Sequence, residues 1–170
     1  MLPKAFMFGI VEMVDMAGPE KTLDWMEAIG RKLADIEGPG FEGAREDDIN
    51  YIPICPSVNE LIEFIDVYGE SPSQFLEVIK ASEKRREKAK DGWEYPALSN
   101  ILGVLHFSYS KRRAELAGAK LINLGCKSPL TNINEYNEKA LEKTGMTKDE
   151  VENLLEKAYC VFKIEYPEEG

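Results

Sequence analysis

This sequence is poor in the residues from which most catalytic and metal sites are built. Its 170 residues include three cysteines and one histidine, and the thiols are scattered along the chain. We find no close cysteine or histidine pair with metal-binding spacing, no glycine-rich phosphate loop, no nucleophile elbow and no catalytic-triad pattern. The sequence therefore names no reaction, and whether the protein is an enzyme stays open at this stage.

Positive charge is also scarce. The chain has 21 lysines and arginines against 31 aspartates and glutamates, which gives a formal net charge of −10. A protein that binds a phosphate backbone draws on clustered cationic side chains. The two basic clusters, at 84–90 and 111–113, interleave with acids or lie on predicted helices, so we interpret them as solvated helix faces. We exclude nucleic acid as the principal ligand.

Long hydrophobic runs are missing as well. The apolar stretch at 1–9 is too short for a secretory signal or a membrane span, and it continues into an amphipathic pattern. Three thiols cannot all pair within one chain, and this usage is typical of a reducing compartment. These features predict a cytoplasmic protein without a membrane span.

What the sequence does contain is an ordinary globular composition. Hydrophobic residues make up 44% of the chain and charged residues 31%. A chain of this length can bury a core without disulfides or metals, so we predict a single domain over 1–170 that needs no cofactor to fold.

Most of the chain before residue 118 has the apolar spacing of helices. That spacing predicts helices over 3–16 and 19–37, and a long central helix from about 96 to 117. The segment between Gly38 and Asp48 is predicted to be a flexible loop. The polar stretch at 83–91 ends another predicted helix and is expected to project into solvent.

The C-terminal part changes to a period of two, which indicates strands over 119–129 and 159–167. A short run from Ile49 to Ile54 is also strand-like, but Pro53 has no N–H and restricts it to a sheet edge. A polar helical hairpin over 134–158 separates the two C-terminal strands. The predicted fold class is α+β: helices packed over a small antiparallel sheet, with this hairpin inserted before the last strand.

Alternation along the two C-terminal strands predicts which side chains share a face. Ile122, Leu124 and Cys126 are expected on one face of the first strand. Cys160 and Phe162 are expected on the apolar face of the last strand. Both cysteines are therefore predicted to point toward the core.

Two stretches carry a resemblance to a known family. Residues 18–40, GPEKTLDWMEAIGRKLADIEGPG, and the ending CVFKIEY resemble the small-molecule-binding domains named after 4-vinyl reductase, also called hydrocarbon-binding proteins. Cys126 and Cys160 match part of the family's cysteine-containing ending, although the family's cysteines lie only a few residues apart. Asn123 stands where the family usually has an acid. The resemblance implies helices over a sheet and a hydrophobic small-molecule ligand, bound by a homodimer.

A small-molecule site of this kind is usually an apolar pocket with a few polar groups. Aromatic and small residues in predicted core positions are the candidates for lining it, and for each of them ordinary core packing is the alternative. The predicted ligand-binding residues are Trp25, Gly103, His106, Phe107 and Tyr109.

The three thiols suggest two other chemistries. Cys55, Cys126 and Cys160 each lie near a strand end, so they could hold a zinc ion if these ends converge. Isolated cysteines are more often small buried hydrophobes. A cysteine nucleophile activated by His106 is the second possibility, because thiolate attack needs a neighbouring imidazole or cation.

Two alternative functions accompany the hydrophobic-ligand hypothesis. The dipeptide Cys55-Pro56 before an apolar helix is loosely similar to small hydrolases that act on 2-aminothiazoline-4-carboxylate, so a small cytoplasmic thiol hydrolase is one. A protein-interaction subunit that uses the hairpin at 134–158 or the basic helix end is the other.

Overall fold

A computed structural model describes residues 2–54, 63–68, 72–88, 103–127 and 133–167 of the chain. Within these ranges the helices are α1 (Leu2–Ala17), α2 (Pro19–Glu37), α3 (Ser73–Lys88), α4 (Gly103–Leu116), α5 (Glu138–Thr144) and α6 (Lys148–Leu155), with a further helical stretch at 63–68. The strands are β1 (Ala44–Glu46), β2 (Ile49–Ile52), β3 (Lys120–Lys127), β4 (Asn134–Tyr136) and β5 (Cys160–Glu165).

The described strands form one antiparallel sheet in the order β1-β2-β5-β3-β4. The α+β prediction is confirmed, and both predicted C-terminal strands are present as β3 and β5. The expectation that β2 is an edge strand is wrong, because β2 lies between β1 and β5. Pro53 follows β2, so its missing N–H costs the sheet no bond. β1 lies in the segment predicted to be a loop.

Helices cover both faces of this sheet. α4 packs on one face, where the rings of Phe107 and Phe162 stack with centroids 5.8 Å apart. α5 and α6 pack on the other face, α5 through Ala140 and Leu141 and α6 through the fully buried Val151 and Leu155. The hairpin predicted at 134–158 is therefore a structural layer, and its first three residues belong to β4 rather than to a helix.

The remaining helices form a bundle on the outer side of α4. α1, α2 and α3 contact one another around a core of large apolar side chains, and α2 crosses α4 at Gly30. A Cβ atom at Gly30 would overlap the backbone oxygen of Leu105 and lie 3.1 Å from the backbone nitrogen of Tyr109. Only glycine permits this crossing. None of the helices in the described ranges is long and apolar enough to cross a membrane.

The polar end of α3 does not project into solvent as predicted. The Arg85 guanidinium contacts carboxylate oxygens of Glu20 and Asp24 on α2, at 3.0 and 2.7 Å. The Arg86 guanidinium lies 3.6 Å from a carboxylate oxygen of Glu135 on β4. Two arginines therefore dock this polar helix end onto the protein, which a hydrophobicity pattern cannot indicate.

Candidate functional site: a cross-strand pair of thiols

The site begins with an irregularity in β3. Asn123 lies opposite Phe162 of β5, but the next pair along the ladder is Gly125 with Val161. Leu124 is therefore an extra residue in β3, which makes a β-bulge at this point. Every residue of β3 beyond the bulge points to the face opposite to the one that strict alternation assigns.

The bulge moves Cys126 to the other side of the sheet. The prediction that Cys126 shares a face with Ile122 and Leu124 is wrong: those two pack against α5 and α6, whereas Cys126 lies directly opposite Cys160. Cys160 points to the face covered by α4, as its place in that apolar cluster shows. An isolated glycine in a strand pattern often marks a bulge, so Gly125 was the signal in the sequence that could have located it.

Two residues hold the bulge in place. Asn137, the N-cap of α5, donates its side-chain N–H to the backbone oxygen of Asn123 at 2.9 Å and its backbone N–H to that of Leu124 at 2.9 Å. A Cβ atom on Gly125 would lie 2.9 Å from the backbone oxygen of Glu135. The bulge thus depends on a capping asparagine and on a position where only glycine fits.

The two cysteines meet although 34 positions separate them in sequence. Their Sγ atoms lie 3.1 Å apart, and both residues are thiols in the structure. The Cys126 thiol donates to the Cys160 sulfur, and the side-chain N–H of Asn123 donates to the Cys126 sulfur at 3.2 Å. Cys126 is 1% exposed, whereas Cys160 is half-buried. Asn123, Cys126 and Cys160 thus form a line of polar contacts that runs toward the more exposed cysteine.

A buried cation stands beside this pair. The Arg86 side chain is 14% exposed, and its partner Glu135 lies directly opposite Cys126 across the β3–β4 ladder. Burial lowers the pKa of Arg86, while the negative charge of Glu135, and that of Cys126 when it is ionised, act in the opposite direction. A cation near a thiol favours the thiolate, which is the reactive form. Sequence analysis assigned Arg86 to a solvated helix face and gave no reason to place it here.

The predicted ligand-binding aromatic residues lie in different surroundings. Trp25 is half-buried in the helical bundle and stacks on Phe6, with ring centroids 5.2 Å apart. Phe107 is buried between α4 and the sheet against Phe162. Tyr109 belongs to a polar cluster at the end of α2. These three residues therefore divide between two apolar cores and a polar surface.

Gly103 and His106 complete the predicted set. Gly103 is buried at the start of α4, and His106 is half-buried one turn later. Burial lowers the pKa of His106, and it is the one cause of that shift among the described residues. A neighbouring thiolate would act in the opposite direction by favouring the charged imidazolium. Among the described cysteines, Cys126 and Cys160, the structure therefore gives no support to His106 as a base, and Cys55 lies outside the described residues.

The polar cluster around Tyr109 fixes the segment between α2 and β1. Arg113 of α4 donates to the backbone oxygen of Gly38 at 3.0 Å, and its own backbone oxygen accepts from Gly40. Ser110 donates to a carboxylate oxygen of Glu42 at 2.7 Å, and burial raises the pKa of Glu42. This segment, predicted to be flexible, is instead tied to α4 by these bonds.

A groove of about 530 Å³ lies where β3 and β4 meet α6. It is open to solvent, and most of its lining is polar and acidic. Its chemistry therefore differs from that of the apolar ligand pocket expected from the sequence. The lining residues are Lys127, Asn134, Asp149, Glu152, Asn153, Leu155 and Glu156.

The zinc hypothesis is only partly addressed by this geometry. Cys126 and Cys160 are adjacent, but Cys55 lies outside the described residues. Within the described ranges no cluster of three or more histidine, cysteine, aspartate or glutamate side chains could hold a metal ion. A three-thiol zinc site stays a prediction.

Comparisons with protein-family models, with curated proteins and with solved structures give no match for this chain. The resemblance to the 4-vinyl reductase family stays a prediction. The function has to be inferred from the geometry of the thiol pair.

Proposed function

We propose that the protein works as a dithiol redox protein through Cys126 and Cys160, which exchange with a disulfide-containing partner molecule. The observation that carries this proposal is the 3.1 Å separation of their sulfur atoms. A disulfide bond is about 2.05 Å long, so closure requires the sulfurs to approach by about 1 Å. Little movement of the strands is needed for that.

The backbone supports the same closure. The N–H of Lys127 donates to the oxygen of Tyr159 at 2.7 Å, so the neighbouring pair, Cys126 with Cys160, occupies a non-hydrogen-bonded position of the ladder. The Cα atoms of such pairs lie about 4.5 Å apart. That spacing falls within the range of about 4.4–6.8 Å in which disulfides form.

The surroundings of the two sulfurs suggest their roles. Cys160 is the nucleophile, because it is the more exposed of the two cysteines and its sulfur accepts a hydrogen bond from Cys126 that stabilises a thiolate. Its thiolate attacks one sulfur of the external disulfide, the external S–S bond breaks, and one thiolate leaves. Cys160 and the retained half of the reagent are then joined as a mixed disulfide.

Cys126 completes the exchange. Its thiol loses a proton, its sulfur attacks the Cys160 sulfur, and the second external thiolate leaves and is protonated. The two cysteine thiols lose two electrons and two protons in total, and the external disulfide gains them. The product is a Cys126–Cys160 disulfide and two external thiols.

Trapping with oxidised glutathione tests these roles. In the wild-type protein we expect intact mass spectrometry to show a transient glutathione adduct and then an internal disulfide. Cys126→Ser should keep the adduct on Cys160, because no second thiol resolves it, and Cys160→Ser should react far more slowly. A wild-type protein that stays fully reduced, or a disulfide that contains Cys55, would contradict the proposal.

The functions predicted from the sequence have separate tests. A hydrophobic ligand bound by a homodimer should appear as a stoichiometric extra mass, and as a doubled mass, in native mass spectrometry of freshly purified protein. A thiol hydrolase would release an acyl product and recover both thiols after each turnover. Neither prediction has a specific observation in the described residues that favours it over the dithiol.

A further inference from the structure

We infer that Arg86 is the positioning residue for the second step of this exchange: its guanidinium stabilises the Cys126 sulfur as the thiolate that attacks the mixed disulfide. The inference rests on the proposed dithiol function and adds a residue from a distant helix to it. Its basis is the ion pair between Arg86 and Glu135, the direct cross-strand neighbour of the buried Cys126.

The second step places a demand on Cys126 that the first does not. The sulfur has to ionise while it is 1% exposed, so water cannot stabilise the negative charge. The hydrogen bond from Asn123 at 3.2 Å supplies one neutral donor. A positive charge is the stronger form of stabilisation in a buried setting.

Arg86 is placed to supply that charge. It lies in the last turn of α3, a helix from the other side of α4, and reaches β4, where its guanidinium lies 3.6 Å from a carboxylate oxygen of Glu135. Glu135 is the direct cross-strand neighbour of Cys126. The guanidinium is therefore brought to the strand pair that holds the thiol.

Three acidic groups act on Arg86: the Glu135 carboxylate of β4, Cys126 when it is ionised, and Glu83 of α3. The Glu135 carboxylate is the cross-strand neighbour of Cys126 and disfavours a thiolate there, whereas the Arg86 charge favours it. Removing the Arg86 charge should leave the buried sulfur beside the Glu135 carboxylate without that cation.

The adjacent residue provides a matched control. Arg85 has the same charge, lies on the same helix end and docks α3 as well, but its contacts are with Glu20 and Asp24 of α2. Arg85→Gln removes one docking arginine without removing the cation beside Cys126. Arg86→Gln removes both a docking contact and that cation.

The test measures how fast the mixed disulfide on Cys160 is resolved. The full-length protein is mixed with oxidised glutathione, quenched with acid at successive times and analysed by intact mass spectrometry across a pH series. For Arg86→Gln we expect the adduct to accumulate and its resolution at pH 7 to slow by about tenfold, which corresponds to roughly one unit of thiol pKa. The pH at which resolution becomes fast should rise accordingly.

The controls separate charge from structure. Arg86→Lys should restore most of the rate, and Arg85→Gln should resolve the adduct like the wild type. If Arg86→Gln does not fold, Arg86→Met, which keeps the apolar stem, carries the same expectation. The inference about Arg86 would be overturned if Arg86→Gln resolved the mixed disulfide at the wild-type rate at every pH, or if Arg85→Gln slowed it equally. Either result would leave the proposed dithiol function standing. Absence of any adduct or internal disulfide in the wild type would overturn the proposed function with it.

Discussion

The two faces of the sheet are built from the same strands but differ in chemistry. The face under α5 and α6 is mainly apolar, with Ile122, Leu124 and Val161 packed against the hairpin. The face under α4 is apolar at one end and carries the two cysteines at the other. Stability and reactivity are therefore assigned to opposite sides of one sheet.

A single extra residue creates this division. Without the bulge, β3 would place Cys126 on the hairpin face, among side chains that exclude water and offer no donor. With the bulge, Cys126 meets Cys160 and the side chain of Asn123. Functional sites often break a local rule that the rest of a fold obeys, and here the broken rule is strand alternation.

The largest expected effect comes from the hairpin face. Leu155→Ala should lower the free energy of unfolding by about 2–5 kcal/mol, because it removes a fully buried side chain and leaves a cavity. The rate of disulfide formation in the folded protein should not change. Urea unfolding and glutathione exchange measure the two quantities, and a changed exchange rate would show that the faces are not separable.

The bulge connects the two faces, so its disruption should affect both properties. Gly125→Ala brings a Cβ within 2.9 Å of a backbone oxygen and 3.0 Å of the Val151 side chain. We expect a loss of about 1–3 kcal/mol in the free energy of unfolding. Slower disulfide formation should accompany it, since the cysteines lose their alignment.

A second glycine variant controls for the substitution itself. Gly9 lies inside α1, and a Cβ atom added to it would meet no neighbouring atom within 4 Å. Gly9→Ala should therefore raise stability by up to about 1 kcal/mol and leave the exchange rate unchanged. Wild-type exchange by Gly125→Ala would contradict the role of the bulge.

On the α4 face we expect the opposite balance between stability and reactivity. Asn123→Leu replaces a buried amide, whose side-chain oxygen has no hydrogen-bond partner among the described residues, with an apolar side chain of similar size. The free energy of unfolding should change by less than about 1 kcal/mol, because the lost hydrogen bond to a sulfur, a weak acceptor, is offset by removal of the buried amide oxygen. Alkylation of Cys160 should slow, because the donor chain to its sulfur loses its first member. Unchanged alkylation with reduced stability would show that Asn123 is only structural.

The smallest expected effect lies at the edge of α4, away from the thiols. Because burial raises the pKa of Glu42, folding favours its protonated form, and the wild type loses stability as pH rises through that raised pKa. Glu42→Gln keeps the acceptor for Ser110 without the charge. It should be more stable than the wild type at pH 7, with the difference vanishing below the usual carboxyl pKa of 4.5. Urea unfolding at both pH values checks this, and lower stability of the variant at pH 7 would contradict it.

Much of the fold was accessible from the sequence because local patterns determine it. The glycine and proline signals place α2 correctly, and the capping box of Thr147 with Glu150 marks the start of α6. Two further capping-box patterns in the sequence, Ser57 with Glu60 and Ser71 with Gln74, predict helix starts, but Ser57, Glu60 and Ser71 lie outside the described residues. β1 was missed because it has three mostly exposed residues and no apolar alternation to reveal it.

The site was accessible only in part, because its geometry is not local. The sequence placed Cys126 and Cys160 in a candidate zinc trio with Cys55, but their contact depends on strand pairing across 34 positions and on a register shift. Arg86 reaches the site from a polar helix end, and no periodicity distinguishes a docked arginine from a solvated one.

A redox titration tests the central claim most directly. The wild-type protein is equilibrated in glutathione buffers of increasing oxidising strength, its remaining thiols are alkylated, and the linkage is mapped from peptide masses. We expect one disulfide, Cys126 with Cys160, formed in a single two-electron transition at roughly −270 to −120 mV, the range of redox-active proteins. If Cys126 and Cys160 were both still fully alkylated in the most oxidising buffer, they would have remained reduced thiols, and this result would contradict the account.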